Sequence, residues 1–197
     1  MILIALGANL PHPEHGAPAQ TLRAAAERLI ALGLSVFAGS HIYQSSPVPP
    51  SGQPDFANAV LTADSHLPAQ SILRILHQVE AEFGRERRVR WDARLLDLDL
   101  LAVDDRVLPD RLSWHLQAER RSSAAAAALI VPHPRLHDRR FVLEPLVEVA
   151  PDWVHPVLQK SVREMRDQLD VYERRDPMGA RESMVHRQKD QLLGNLG

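Results

Sequence analysis

The chain has 197 residues, 45% of them apolar and 24% charged, and a formal net charge of −2. That length suffices for one domain with a proper core, and the charge balance gives no global pull toward nucleic acid or a membrane. It contains no cysteine, which excludes disulfides, thiolate zinc sites and a cysteine nucleophile and fits a reducing cytoplasm.

The apolar run 2–6 predicts a short central strand; it is too short for a signal peptide or a membrane span. Gly7-Ala8-Asn9-Leu10 ends it, and 11–18 is a loop. Leu22, Ala25, Ala26, Leu29 and Ile30 fall at helical spacing within 19–32, with Gly33 where a helix-terminating glycine belongs. Residues 35–43 predict a strand, the proline-rich stretch 44–55 a loop, and 56–63 a further strand. Pro68 opens a helix whose inner face is Ile72, Ile75, Leu76, Val79 and Phe83, closed by Gly84. An arginine-rich loop and a strand from Leu96 to about Val103 complete the order strand, helix, strand, strand, helix, strand. That order predicts an α+β fold: a ferredoxin-like βαββαβ core with helices packed on an antiparallel sheet.

The second half is less regular. Asp104-Asp105 is a turn, 106–108 a short returning strand, and 109–128 an insertion ending in an alanine run. Residues 129–134 are extended, because each proline pushes its predecessor away from helix. Asp138 is a candidate cap for a helix to about Val149, distorted by Pro145. Ser161-Val-Arg-Glu164 is a capping box opening a helix with Val162, Met165 and Leu169 inward. From 174 the chain turns polar, so 1–173 reads as one domain and 174–197 as a C-terminal tail.

The chemistry concentrates in 85–101. Arginines at 85, 87, 88, 90 and 94 surround Trp91, and Leu96-Asp97-Leu98-Asp99-Leu100 alternates apolar and acidic residues. Alternation predicts a strand with one face buried, so Asp97 and Asp99 share the other face with Cα atoms about 6.5–7 Å apart. Paired carboxylates hold hard cations through oxygen, and guanidinium groups take phosphate oxygens. The grouping therefore points to a magnesium-bound polyphosphate, although an ordinary solvated strand face also carries alternating acids. Phe56 and Asn58 lie on one face of their strand, a weak signal for a flat, hydrogen-bonding heterocycle. His133 sits between two prolines with Arg135 and Arg139 following, while His155 reads as structural. No P-loop, G-x-G-x-x-G or H-E-x-x-H motif occurs.

Four blocks in order resemble the 6-hydroxymethyl-7,8-dihydropterin pyrophosphokinase family of folate biosynthesis. They are Ala5-Leu-Gly-Ala-Asn-Leu10; Tyr43-Gln-Ser-Ser-Pro-Val48 with Gln53-Pro-Asp-Phe-Ala-Asn58; Glu80 and Phe83–Arg87 with Arg90–Asp99; and Val131–Arg135 with Arg139–Leu143. The resemblance covers roughly 2–108 and 129–170. It implies transfer of pyrophosphate from ATP to the hydroxymethyl group of the dihydropterin, releasing AMP, with two Mg²⁺ ions at Asp97 and Asp99. It further implies catalytic roles for Arg85, Arg94, Asp97 and Asp99. The ATP side would comprise Glu80, Arg85, Arg87, Trp91, Arg94, Leu100, His133 and Arg139. The pterin side would comprise Ser45, Val48, Phe56, Asn58 and Phe141. A cytoplasmic monomer is expected, with no nucleic-acid or membrane partner. Departures from the family pattern are Ala8, Phe56, His77 and Asp92-Ala93. Ala128 also stands where some members place an arginine, a role that Arg120 or Arg121 would take over. Two other readings are a non-catalytic RNA-binding module using 85–94, and a metal-dependent nuclease, which lacks further acidic residues and a nearby general base.

Overall fold

The computed structural model describes residues 1–47, 52–84, 94–119, 129–175 and 185–193. Strand β1 (Ile2–Ala8) is followed by helix α1 (Pro18–Ala31). Proline in the first turn gives up no needed N–H, and the Gln20 side chain turns back to accept the Ala17 N–H at 2.8 Å. Gly33, at φ +94°, adopts the left-handed conformation that ends α1. The single strand expected over 35–43 is two, β2 (Ser35–Gly39) and β3 (His41–Ser45). Both pair with β4 (Phe56–Asp64), and between them Ser40 Oγ accepts the Val60 N–H at 3.0 Å. Helix α2 (Ala69–Glu82) follows, ended by Gly84 at φ +75°, and then β5 (Asp97–Val103).

These strands form one antiparallel sheet in the order β5-β1-β4-β3, with β2 also on β4. One face carries Ile4, Leu6, Leu61, Leu98 and Leu100 and packs against Leu22, Leu29, Ile72, Leu76 and Val79 of α1 and α2. Helices α4 (Arg140–Val149) and α5 (Val162–Arg175) cover part of the other face. There Leu3, Val60, Leu101 and Ala102 meet Val142, Leu143, Leu146, Val162 and Met165. A register shift between Leu3 and Ile4 leaves Leu101 without a cross-strand partner, so Leu101 and Ala102 both serve this second core.

In the second half the structure adds detail to one expectation and corrects two. Part of the expected insertion is helix α3 (Arg111–Glu119), started by Asp110, whose carboxylate accepts the Ser113 N–H at 2.9 Å. It is rooted by buried Trp114, whose indole donates to Pro132 O at 2.8 Å; the alanine run lies outside the described residues. Asp138 does not cap α4: Leu136–Asp138 forms a 3₁₀ turn, and Arg139 occupies the cap position. The polar stretch from 174 is not simply a tail. Its residues Val185–Gln191 form β6, an added edge strand on β3, and Leu192 behind it is buried. The capping box is present, with Glu164 Oε2 accepting the Ser161 N–H at 2.7 Å and Ser161 Oγ accepting the Glu164 N–H at 3.2 Å. Among the described residues no helix is long and apolar enough to cross a membrane.

Candidate active site

Beyond the start of α4 the second sheet face stays uncovered, and a cavity of about 420 Å³ opens there. Its floor is Ala5 and Gly7 of β1, small residues that sit between β4 and β5. Gly7 pairs with Asp97 on one side and Asn58 on the other, and Ala5 pairs with Asp99. Cross-strand partners share a face. The alternation of β5 therefore turns both aspartates into the cavity while Leu98 and Leu100 go to the α1/α2 core.

Each aspartate meets an arginine. Arg94 Nη1 bonds Asp97 Oδ2, and Arg139 Nη1 lies 3.6 Å from Asp99 Oδ2. Arg94 is held by buried Asn9, whose Oδ1 accepts the Arg94 N–H at 2.7 Å while the Asn9 N–H donates to Arg94 O at 3.0 Å. Asn9 Nδ2 donates in turn to Gln53 Oε1 at 3.2 Å and Pro54 O at 3.3 Å. One amide thus ties the end of β1, the entrance of β5 and the loop before β4. Arg139, at the start of α4, stands 5.6 Å from the centre of the Phe141 ring. Burial pulls its pKa below the usual guanidinium value, partly offset by the Asp99 charge.

The opposite wall is aromatic and polar. Phe56 and Phe141 line the same cavity, with Ser45, Ser46, Pro47 and Gln53 beside them. Asn58 is buried and donates from Nδ2 to Ser45 Oγ at 2.9 Å, which fixes its amide orientation. Its Oδ1 lies over Gly7.

The sequence-predicted residues therefore divide. Ser45, Phe56, Asn58, Arg94, Asp97, Asp99, Arg139 and Phe141 converge on one cavity. Glu80, Leu100 and His133 do not line it. Glu80 is buried under the edge strand, its Oε1 accepting the Leu98 N–H at 2.8 Å between the two aspartates. Leu100 faces the α1/α2 core. His133 donates its backbone N–H to Leu101 O at 2.7 Å, and burial pushes its imidazole pKa down to about 4 against the pull of Asp99. An uncharged imidazole whose Nδ1 accepts the Arg135 N–H at 3.1 Å keeps its Nε2 N–H to donate. Val48, Arg85, Arg87 and Trp91 lie outside the described residues, as do Arg120, Arg121 and Ala128. Sequence reasoning missed Asn9 and Gln53 as organising groups. A polar residue at the end of an apolar strand was the available signal, since a buried amide has to find partners.

A sheet floor, paired carboxylates and guanidiniums at one pole and aromatic rings beside a fixed amide at the other give one cavity a charged end and a flat aromatic end. Residues 3–151 match the sequence profile of the 7,8-dihydro-6-hydroxymethylpterin-pyrophosphokinase (HPPK) family, and the chain belongs to that family. Curated relatives are 2-amino-4-hydroxy-6-hydroxymethyldihydropteridine pyrophosphokinases. The Synechocystis protein is 36% identical over 147 residues, 75% of this chain and 67% of that protein. The Haemophilus influenzae protein is 34% identical over 168 residues, covering 83% and 92%. The Pseudomonas aeruginosa protein is 36% identical over 151 residues, covering 77% and 81%. Among solved structures, Plasmodium falciparum HPPK-DHPS with SDX-DHP superposes with a TM-score of 0.65 at 12% identity, over 89% of this chain and 45% of that one. A triple variant of it with pterin and p-hydrobenzoate gives a TM-score of 0.67 at 14% identity, over 94% and 47%. This chain spans under half the length of those solved chains, and at such identities the likeness is one of fold.

Proposed function

We propose that this chain transfers a pyrophosphoryl group from ATP to the hydroxymethyl group of 6-hydroxymethyl-7,8-dihydropterin, yielding the pterin diphosphate and AMP in folate biosynthesis. The observation that carries this reading, beside family membership, is that Asp97 and Asp99 open into the same cavity as Phe56, Asn58 and Phe141. The phosphate-handling end and the ring-binding end are thus within one small molecule's length.

In this reading the pterin lies between Phe56 and Phe141. Asn58, its Nδ2 engaged by Ser45, presents its amide oxygen to the N–H-bearing edge of the ring. The hydroxymethyl group then points toward Asp97, which orients it. Among the described residues no third acidic or histidine ligand joins the aspartates. Asp97 and Asp99 would hold the two magnesium ions of this reading, hard cations whose remaining oxygens would come from phosphate and water. Held there, the ions would supply the positive charge that neutralises the polyphosphate and favours an in-line displacement. The hydroxyl oxygen bonds to the β-phosphorus as the bond to the α-phosphate bridging oxygen breaks, AMP leaves, and the hydroxyl proton is released. Arg94 and Arg139 meet the charge on the phosphates, and Glu80 holds β5 so that both aspartates keep their spacing. On sequence grounds Arg85, Arg87 and Trp91 belong to the nucleotide side and Val48 to the pterin side. Leu100 and His133 remain nucleotide-side residues in this proposal, approached from the β5 edge.

We also read β1-α1-β2/β3-β4-α2-β5 as a ferredoxin-like core in which β2 and β3 together fill one strand's place; the order β5-β1-β4-β3 supports this. Residues 1–173 with β6 form a single pyrophosphokinase domain, a monomer of the cytoplasm.

Incubated with ATP, Mg²⁺ and the hydroxymethyldihydropterin, the protein is expected to release AMP and not ADP. Asp97→Asn and Asp99→Asn should each cut turnover by about a hundredfold or more with unchanged circular dichroism. A folded wild-type protein that yields no AMP would sink the proposal, and near-normal turnover in either variant would remove that aspartate from the mechanism.

A further inference from the structure

We infer that Arg94 and Arg139 are exchangeable counter-ions: each holds one of the paired aspartates until a divalent cation takes that carboxylate, and then passes its guanidinium to the incoming phosphates. The inference rests on the pyrophosphokinase reading and adds to it a coupling between cation and nucleotide.

Arg94 bonds Asp97, and Arg139 lies 3.6 Å from Asp99. The two arginines reach the carboxylates from different parts of the fold, one from the entrance of β5 and one from the start of α4. Two carboxylates side by side on one strand repel each other, and these guanidiniums help to relieve that repulsion. The pairs are half-buried, with side-chain exposures of 37% and 21% for Arg94 and Asp97, and 21% and 37% for Arg139 and Asp99. Solvent therefore screens them incompletely, yet both guanidiniums stay within reach of a ligand in the cavity they line.

A cation that arrives at a carboxylate competes with the guanidinium for the same negative charge and loosens that pair. For the cation alone, that loosening leaves a half-buried arginine with less counter-charge. ATP supplies the missing charge, because a guanidinium bonds phosphate as well as carboxylate through the same planar fork. Cation and nucleotide then assist each other's binding, and the coupling is reciprocal. The backbone of Arg94 is pinned on both its N–H and its carbonyl by Asn9, so only its side chain has to swing.

The probe is Mn²⁺, whose free concentration is read directly by electron paramagnetic resonance. In titrations without nucleotide, Arg94→Ala and Arg139→Ala should bind Mn²⁺ about fivefold tighter than the wild type, or more. The same variants should bind ATP more weakly in EDTA. Arg139→Lys keeps the charge and serves if the alanine variant melts early; it should bind Mn²⁺ close to wild type. Mn²⁺ binding unchanged or weakened in folded alanine variants, with AMP release by the wild type intact, overturns the exchange and leaves the pyrophosphokinase reading standing. A wild type that releases no AMP defeats that reading instead, whatever the Mn²⁺ result.

Discussion

Single polar side chains inside this fold are placed by what they must satisfy. Asn9, Glu80 and Asn58 are all buried, and each bonds a group that sets the cavity's shape: the Arg94 backbone, the β5 backbone and Ser45. His155 is a different case. It is fully buried, and its Nδ1 accepts both the Val157 and Leu158 N–H groups at 3.2 Å. A proton on Nδ1 would set three donors against one another, and burial pushes the imidazole pKa from 6.5 down to about 4. The unfolded chain then binds more protons than the folded one between those values. Stability is fully present above about pH 6.5 and is lost as the pH falls toward 4, with about 2 kcal/mol gone by pH 5. His155→Asn keeps an acceptor for the two N–H groups and removes the titration. Its melting temperature should fall less between pH 7 and 5 than that of the wild type, by about 4–8 °C. An equal slope in both proteins would show that His155 does not carry this dependence.

At the scale of elements, β5 and β6 teach opposite lessons. β5 was legible because its alternation of leucine and aspartate assigns each side chain to a face, and Glu80 holds its outer edge from α2. β6 was not legible, because an edge strand that buries little needs no alternation of its own. Val185–Gln191 is almost wholly polar, and its strand form comes from the ladder that β3 offers. Long-range side-chain contacts also hold it, two of them from opposite faces of the sheet. Arg187 Nε lies 3.0 Å from Glu148 Oε1, which also accepts the Tyr43 hydroxyl at 2.9 Å. Leu192, whose N–H donates to Ser40 O at 3.0 Å, is buried in the α1/α2 core. Leu192→Ala should therefore cost about 2–4 kcal/mol in urea unfolding, as a core truncation does. A cost below about 0.5 kcal/mol, as expected for an exposed surface position, would return this segment to the status of a tail.

For the whole molecule, the organising fact is a sheet with two unlike faces. The α1/α2 face is a continuous apolar core, whereas the other face is covered by α4 and α5 over only part of its length and forms the cavity over the rest. Stability and ligand binding should therefore separate by face. Leu98→Ala, on the covered face, should lower stability by about 2–5 kcal/mol. Phe141→Ala, on the open face, should leave the melting temperature within a few degrees while raising KM for the pterin. Equal stability losses in the two variants would mean that the cavity wall is part of the core.

The sequence by itself determined the element order of the first half, apart from the break that divides 35–43, and the faces of its strands and helices; with the family resemblance it pointed to half of the residues that line the cavity. These follow from local periodicity, from glycine and proline at turns, and from motifs whose residues lie close in the chain. Only the tertiary structure decided which groups oppose one another. Asn9 binds a backbone 85 residues away, Arg139 reaches Asp99 across the sheet, and Leu192 closes a core begun at Ile2. It also set His133 and Glu80 apart from the cavity, because burial depends on what packs over a residue. A sequence records the chemistry of each side chain; distance and dielectric, which decide what that chemistry does, arise only when remote segments close on each other.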